Sequence, residues 1–303
     1  MSALDRRTIE EIITRFEMHS DLRDVFVEGA RDESLLSWFF DETVCEAAVV
    51  YPVDTVDVPE HLTREIIYDG GNKKRLLALS RILENELAPE CDAARCIVDR
   101  DFQDFGFPVS GRYVRVTDYA CMEAYGVGPT PLKKLLRLFF GGRLDENDMK
   151  SIRLIVTFLF AARLAKMTLA PQAAWYSNFD KCCSLTKGVL YFDEGEFVRR
   201  LANLSQHRLD TAALSAEIDK IRATFPSNWL FTLQGHDMAE VAAWYARAKG
   251  VPQKVADPVT FQRAVFAALE INALRSYGLF QDLLSWACEN SANNIQTEAP
   301  STT

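Results

Sequence analysis

Cys96-Ile97-Val98-Asp99-Arg100-Asp101 is the stretch of sequence that decides the fold. Its three apolar residues are too few for a helix, and a short run that is apolar throughout is typical of a central strand in a parallel sheet. Acidic residues follow as soon as this strand ends. In parallel α/β sheets, ligands bind outside the carboxyl ends of the strands. We therefore expect Asp99 and Asp101 to lie at a functional edge of the sheet.

The same pattern, acid directly after an apolar strand, occurs at two other places in the first half of the chain. The acids concerned are Glu28 and Asp32 after Val25-Phe26-Val27, and Asp118 and Glu123 after Tyr113–Thr117. If the strands that precede them are neighbours, Glu28, Asp99 and Asp101 meet at one edge of the sheet. Gly29 would leave room there for phosphate oxygens to approach the backbone.

Carboxylates gathered in one place repel each other, so such a group usually holds a cation. Ligands that are all oxygen select Mg²⁺ or Mn²⁺ rather than zinc. The sequence therefore predicts a metal site that acts on phosphodiesters. A simpler interpretation stays open for each acid: a solvated strand end for Glu28, a turn for Asp99 and Asp101, an N-cap for Asp32 and an exposed helical position for Glu123.

Strands that alternate with helices predict a parallel sheet covered on both faces, followed by a mainly helical region. We expect a boundary at Gly126–Pro131 and a disordered tail over 289–303. Predicted strands lie at 25–27, 47–51, 96–98 and 113–117, with a short one at 229–231. Predicted helices lie at 8–19, from Asp32 to Phe40, at 73–87, 120–125, 132–140, 147–169, 194–204, 211–225, from Asp237 to 249, from Pro258 to 276 and at 279–288.

The 303 residues carry a net charge of −9 that is unevenly distributed. Residues 1–129 hold 14 basic and 26 acidic side chains, whereas residues 130–170 hold eight basic and three acidic ones. An acidic part that could hold metal beside a basic part that could hold a nucleic-acid backbone suits an enzyme acting on phosphodiesters. Two solvated faces of opposite sign would give the same pattern.

The seven cysteines lack the close pairs of a zinc site. No apolar stretch is long enough for a membrane span, and no apolar region follows the basic residues near the N-terminus as it would in a signal peptide. We therefore expect reduced, mostly buried thiols and a cytoplasmic location.

The strand-end motifs resemble the Toprim fold of topoisomerases, primases and OLD-type nucleases, over roughly residues 20–125. That fold has Glu-Gly after its first strand and Asp-x-Asp after its third, here Glu28-Gly29 and Asp99-Arg100-Asp101. Asp32 matches the Glu-Gly-x-x-Asp extension of OLD-like members. The resemblance implies an α/β Toprim domain over 1–127 with catalytic Glu28, Asp99 and Asp101, and a helical domain over 128–288.

A narrower group of OLD-like Toprim proteins, effectors of PARIS-type anti-phage systems, is similar in length and order of motifs. The signals are the helix start at Asn72, the segment from Thr117 to Tyr125, and Gly235-His236-Asp237. This similarity implies a toxic, Mg²⁺- or Mn²⁺-dependent nuclease that cleaves host tRNA after release from a partner ABC-type ATPase. It further implies Glu123 as an additional metal ligand, with Asp32.

OLD-type sites commonly add a lysine that stabilises transition-state charge, and no lysine stands in a clearly matching position. His236 or a residue of the basic segment 133–166 could take that role, although His236 also suits helix-cap packing. The helical domain would serve RNA and partner binding, and a homodimer would bring two basic segments together.

Two other functions remain open: a non-catalytic regulatory subunit of an ATPase complex, and a DNA nuclease. A pure adaptor would not need Glu28, Asp99 and Asp101. The chain has no phosphate-binding P-loop, so any ATP hydrolysis must come from a partner.

Overall fold

The computed structural model describes residues 6–43, 48–64, 66, 71–204 and 209–297. The chain divides into two compact units. The first comprises Met1–Arg100, Pro108–Asp118 and Glu270–Thr303, and the second comprises Asp101–Phe107 and Tyr119–Leu269. This division does not follow the boundary predicted between residues 127 and 128, because the C-terminal segment belongs to the first unit.

The first unit contains a parallel sheet and the helices on its two faces. The strands of this unit are β1 (Arg7–Thr8), β2 (Arg23–Val27), β3 (Ala48–Pro52), β4 (Val56–Asp57), β5 (Ala94–Val98) and β6 (Val114–Val116). Its helices are α1 (Ile9–Met18), α2 (Ala30–Glu42), α3 (Glu60–Thr63), α4 (Gly71–Glu86), α12 (Ile271–Leu274) and α13 (Gly278–Thr297), with a 3₁₀ turn at Val53–Thr55.

Four strands form the main sheet in the order β3-β2-β5-β6, and every pair of neighbours is parallel. The predicted strand-helix alternation and parallel sheet are thus confirmed. β2 and β5 occupy the centre, and all five residues of each strand are buried. Since β2 and β5 are direct neighbours, Phe26 aligns with Cys96, and the residues that follow the two strands emerge at the same edge.

One face of the sheet packs against α1 and α4. Phe26, Cys96 and Val98 share a core cluster with apolar residues of these two helices: Ile12, Phe16, Leu76, Leu79 and Leu83. α1 begins as its sequence predicts, because Thr8 and Glu11 form a capping box.

The other face of this unit includes α2 and the C-terminal helix α13. Phe280 of α13 is fully buried, and its ring centroid lies 4.8 Å from that of Phe39 in α2. Trp286 accepts a hydrogen bond from Arg23 of β2 through its backbone oxygen, and its ring lies under the guanidinium of Arg95 in β5. A helix whose Trp286 lies 263 residues after Arg23 therefore completes the unit that the sheet begins.

The second unit is mainly helical, as expected. Its helices are α5 (Glu123–Gly126), α6 (Pro129–Lys134), α7 (Glu146–Leu169), α8 (Glu194–Leu204), α9 (Thr211–Arg222), α10 (Gly235–Ala248) and α11 (Pro258–Ala267). A hairpin is formed by β7 (Cys183–Thr186) and β8 (Val189–Phe192), a π-helical segment covers Leu135–Phe139, and 3₁₀ turns lie at Gln103–Phe105, Phe179–Cys182 and Trp229–Phe231. α7 is the central helix and packs against α9 and α10.

Several predicted element ends are wrong, and local hydrogen bonds explain them. Asp32 is not an N-cap, because α2 starts at Ala30 after an extended Gly29. Asp32 therefore lies in the first turn of α2, where the helix dipole stabilises its negative charge. Trp229–Phe231 is a 3₁₀ turn rather than a strand, because the side chain of Asn228 accepts from the N–H of Leu230.

Two further differences concern the C-terminal segment. The helix that begins at Pro258 ends at Ala267 rather than at 276, because the backbone becomes extended at Glu270. The last helix continues past Cys288 to Thr297, where the sequence predicts a disordered tail from residue 289. Residues 298–303 lie outside the described part of the chain, as do Cys45 and Ala47. The sequence Asp69-Gly70-Gly71-Asn72 predicts a turn and helix cap, and its first two residues also lie outside the described part.

Within the described residues, none of the helices combines the length and the hydropathy needed to cross a bilayer.

Because α13 covers the second face of the first unit, truncating its buried Phe280 side chain should make that unit less stable. We expect Phe280→Ala to lower the free energy of unfolding by about 3–5 kcal/mol, as measured by denaturant titration. Met18→Ala is the control, since Met18 is 71% exposed and the change should cost less than about 0.5 kcal/mol. Equal stability of the two variants would contradict this placement of α13.

Candidate functional site

The carboxyl ends of β2 and β5 bring Glu28 and Asp99 together. Glu28 is the first residue after β2, and Asp99 is the first after β5. The backbone N–H of Asp99 donates a hydrogen bond to Oε1 of Glu28 at 3.2 Å. Both residues are half-buried. Two acids that are 71 positions apart in the sequence thus share one edge of the sheet, as the strand pattern predicts.

The first turn of α4 supplies two more side chains to this edge. Asn72 donates from Nδ2 to the backbone oxygen of Glu28 at 2.6 Å. Lys73 donates from Nζ to the backbone oxygen of Asp99, and only 1% of the residue is exposed. An almost completely buried ammonium group needs such partners, because its desolvation is otherwise costly.

Lys73 is a residue that sequence reasoning missed. The signal that could have found it is its position in α4, where Leu76, Leu77 and Ser80 lie three, four and seven residues later on the same buried face. A lysine that belongs to the apolar face of a helix is rarely left without a role, since lysine is almost never fully buried unless it is paired.

The end of β5 is also tied to the end of β6. Thr117 is fully buried, its hydroxyl accepts from the N–H of Arg100 at 2.9 Å, and its carbonyl accepts from Nε of Arg100 at 3.2 Å. Arg100 is therefore fixed toward β6. This arrangement holds the backbone directly after Asp99 in place.

The structure does not gather every predicted site residue at this edge. Asp32 belongs to the same unit, in the first turn of α2 after Glu28. Asp101 follows Asp99 by two positions but belongs to the second unit. Its backbone is left-handed, with φ of 45°, a conformation that Asp tolerates better than most residues. Its Oδ1 accepts from Nε2 of Gln234 at 2.8 Å.

Asp118, the acid after the fourth strand, has a structural role. Its carboxylate accepts hydrogen bonds from the backbone N–H groups of Gly278 and Leu279 at the start of α13. It thereby satisfies donors that a helix N-terminus leaves open.

Glu123 lies inside the second unit, at the N-terminus of α10. A Cβ atom added to Gly235 would overlap the carboxylate of Glu123, so the backbone at Gly235 and this carboxylate are in close approach. Gln262 donates to Oε1 of Glu123 at 3.3 Å. An anion at a helix N-terminus is favoured by the helix dipole. The position of Glu123 therefore has a structural explanation, and its role as a metal ligand stays a prediction.

The segment Gly235-His236-Asp237 is explained residue by residue. Gly235 is needed for the approach of Glu123. Asp237 is not the N-cap of α10, a position that Gln234 takes; its carboxylate instead binds Arg163 of α7 at 2.6 and 2.8 Å. His236 is exposed and lines a cavity of the second unit.

The cysteines behave as buried apolar side chains. All described cysteines are free thiols, and four of them are buried. Burial raises the pKa of the Cys96 thiol in β5 to about 12, and that of Cys182 to about 11. These two groups are therefore thiols rather than reactive thiolates at neutral pH.

Glu28 and Asp99 fit a hard cation by their donor chemistry. Carboxylate oxygens are the ligands that Mg²⁺ prefers, and Mg²⁺ is usually held by one or two carboxylates together with waters and substrate phosphates. Among the described residues, no three His, Cys, Asp or Glu side chains form a metal-binding group by themselves. Gly29 directly follows Glu28 and precedes Asp32 by three residues, and a Cβ atom there would meet nothing within 4 Å, so the backbone has room for a ligand.

No protein-family model matches the chain, and no curated protein sequence matches it.

The contact between Gly235 and Glu123 gives a test of the local packing. We expect Gly235→Ala to destabilise the second unit by about 1–3 kcal/mol, because the added methyl group displaces a carboxylate that is bound on its other side. Thermal unfolding measures the change. The matched control is Gly195→Ala, near the start of α8, where the nearest atom to the new Cβ is at an ordinary 3.5 Å. Unchanged stability of the Gly235 variant would contradict the close approach.

Proposed function

We propose that the protein is a metal-dependent nuclease of the OLD-like Toprim type and that Glu28 and Asp99 form the centre of its active site. The observation that supports this most is that these two acidic residues follow adjacent parallel strands and are joined by the hydrogen bond from the N–H of Asp99 to the Glu28 carboxylate. The chemistry of phosphodiester hydrolysis needs such an oxygen-rich edge, open to solvent and fixed by a rigid sheet.

A bound Mg²⁺ or Mn²⁺ would neutralise charge on the phosphate that is attacked. Glu28 and Asp99 would hold it, with Asp32 as a proposed further ligand of the same unit, and ligation by Asp101 and Glu123 stays a prediction from the sequence. Asp101 is only two residues from Asp99, and its strained backbone is of the kind that accumulates at functional sites.

Protein groups at the carboxyl edge of the sheet orient the acidic residues and offset part of their charge. The N–H of Asp99 fixes one oxygen of Glu28, so the carboxylate is oriented before any ligand arrives. Lys73 places a positive charge at the backbone of Asp99, which offsets part of the repulsion between the carboxylates. We propose Lys73 as the cation of this site, in place of His236 or a lysine of segment 133–166. Glu28 acts as metal ligand or as general base toward the attacking water.

The biological role that we propose is that of a toxic effector in anti-phage defence, which cleaves host tRNA. A partner ABC-type ATPase would hold the protein inactive, and a homodimer would be the active form. The support for this role is the resemblance of the motifs together with the basic residues of segment 130–170. Basic side chains bind the phosphates of RNA regardless of sequence.

One feature favours the alternative function of a non-catalytic interaction subunit. On the β7–β8 hairpin, Val189 and Tyr191 are each 61% exposed. Apolar side chains exposed side by side on a strand are typical of contact surfaces. This feature is compatible with a nuclease that binds a partner.

The decisive experiment expresses the wild type, Glu28→Gln and Asp99→Asn in bacteria, with and without the neighbouring ATPase, and separates small RNA on a denaturing gel. We expect discrete tRNA fragments from the wild type and a loss of cleavage of about 10²–10⁴-fold in each variant, because each change removes a charged group from the reacting edge. Chelation with EDTA should abolish cleavage by the purified protein, and added Mg²⁺ should restore it.

Glu42→Gln and Asp41→Asn are the matched controls, since both residues are exposed at the far end of α2. They should cleave like the wild type. Intact RNA in every lane would refute the RNA nuclease and favour the interaction subunit, or a DNA nuclease that supercoiled plasmid would reveal. Cleavage by Glu28→Gln at the wild-type rate would refute the site.

A further inference from the structure

A cavity of about 420 Å³ lies within the second unit. Its volume is that of an ordinary ligand pocket. Residues of α7, α10 and the segment 175–180 line it. Its walls include the aromatic side chains of Trp175 and Trp244, which are both half-buried. An aromatic cavity with polar groups around it is the common form of a small-molecule or nucleobase site.

One wall of the cavity is a stripe of side chains along α10. His236, Glu240 and Trp244 follow one another at intervals of four residues, so they lie on one face of the helix. All three line the cavity. This stripe presents an imidazole, a carboxylate and an indole to the same space.

A second wall is a fixed guanidinium group. Arg163 of α7 donates two hydrogen bonds to Asp237, at 2.8 and 2.6 Å, and its guanidinium lies 4.0 Å from the ring centroid of Trp175. The paired bonds and the stacking hold the group in one plane. Asp237 neutralises its charge, so what remains for a ligand is a flat, polar stacking surface.

The charges of the cavity argue for a base rather than a phosphate. Arg163 is paired with Asp237, and the other charged lining residues are Glu240, Asp180 and Arg247, so the carboxylates outnumber the guanidinium groups by one. This excess of negative charge disfavours a phosphate, whereas the amino and imino N–H groups of a nucleobase would find acceptors. Unpaired RNA bases are recognised in this way, by stacking on aromatic rings or arginine planes and by hydrogen bonds to their edges.

A place for the backbone of the same strand exists between α6 and the first half of α7. Lys133, Lys150 and Arg153 line a second cavity of about 250 Å³, and the Arg153 guanidinium lies 4.7 Å from the ring centroid of Trp229. Arg153 and Arg163 are ten residues apart on one helix, roughly 15 Å along its axis. Arg153, a cation available to a phosphate, and Arg163, at the aromatic cavity, are thus carried by one rigid helix.

We infer that the cavity lined by Arg163, Trp175, Glu240 and Trp244 binds an unpaired nucleobase of a single-stranded RNA segment. This inference rests on the proposed function, because it supplies that nuclease with the part of the substrate it selects. The base stacks on the indole rings and the Arg163 plane. Glu240 accepts from its amino group, and His236 contacts it at the mouth of the cavity.

The test measures binding rather than cleavage. A short RNA with a 2-aminopurine in a single-stranded loop is titrated with the full-length protein in EDTA, and the fluorescence of the probe is followed. We expect strong quenching by the wild type as the probe stacks in the cavity. Trp244→Ala should weaken binding about tenfold, in line with the effect of removing one stacking platform. Glu240→Gln, which keeps size and packing, should reduce affinity for the amino-bearing probe.

The control is Trp38→Leu, which removes a half-buried indole from α2 of the first unit and should leave the quenching unchanged. The same probe within a fully paired duplex should not be quenched. Quenching that is insensitive to Trp244→Ala and Glu240→Gln in folded protein would overturn the inference. Tight binding of 2-aminopurine riboside monophosphate, with no gain from the RNA strand, would also overturn it in favour of a free nucleotide.

This design separates the inference from the proposed function. RNA that binds through the cavity but is never cut, with or without Mg²⁺, would retain the inference and refute the nuclease. RNA that is cut at equal rates by the wild type and Trp244→Ala, both folded, would retain the nuclease and refute the cavity as its substrate site.

Discussion

The parallel pairing of β2 with β5 is the constraint on which the rest of the site depends. Because these strands are direct neighbours and run in the same direction, the residues after them meet at one edge. The hydrogen bond from the N–H of Asp99 to Glu28 follows from this pairing. α4 then adds Asn72 and Lys73, which bind the two backbone oxygens at the same place. A slip of one residue in this register would turn every buried side chain of the strand to the opposite face of the sheet. The packing of the core therefore fixes the register, and the register fixes the positions of Glu28 and Asp99.

The central part of the fold could be predicted because its signals are local. The capping box of α1, the short apolar strands and the acid after each of them are read within a few residues, and the parallel order then brings Glu28 and Asp99 together. Signals that depend on distant partners could not be read. The spacing in α4 places Lys73 on the apolar face, but its partner, the carbonyl of Asp99, becomes known only from the fold. Likewise, α13 shows no sign in sequence that it covers a face of the first unit.

The roles of several acidic residues could not be predicted from the sequence for the same reason, because their partners are distant along the chain. Asp32, Asp118 and Asp237 are all plausible helix caps or metal ligands by sequence. In the structure, Asp32 occupies the first turn of a helix, Asp118 binds the start of a helix 160 residues away, and Asp237 pairs with an arginine. A carboxylate has several stable uses near a helix N-terminus, and which one is realised depends on donors from other parts of the chain. Glu123 and His236 show that a resemblance to a motif does not by itself separate packing from chemistry.

Locating the bound cation is the most direct test of the central claim. Fe²⁺ is substituted for Mg²⁺, hydroxyl radicals are generated with ascorbate and peroxide, and the cut sites in the protein backbone are mapped by mass spectrometry. The account predicts cuts beside Glu28 and Asp99 that excess Mg²⁺ suppresses and that Glu28→Gln abolishes. Cuts elsewhere that Mg²⁺ suppresses, or cuts beside Glu28 that persist in Glu28→Gln, would contradict it.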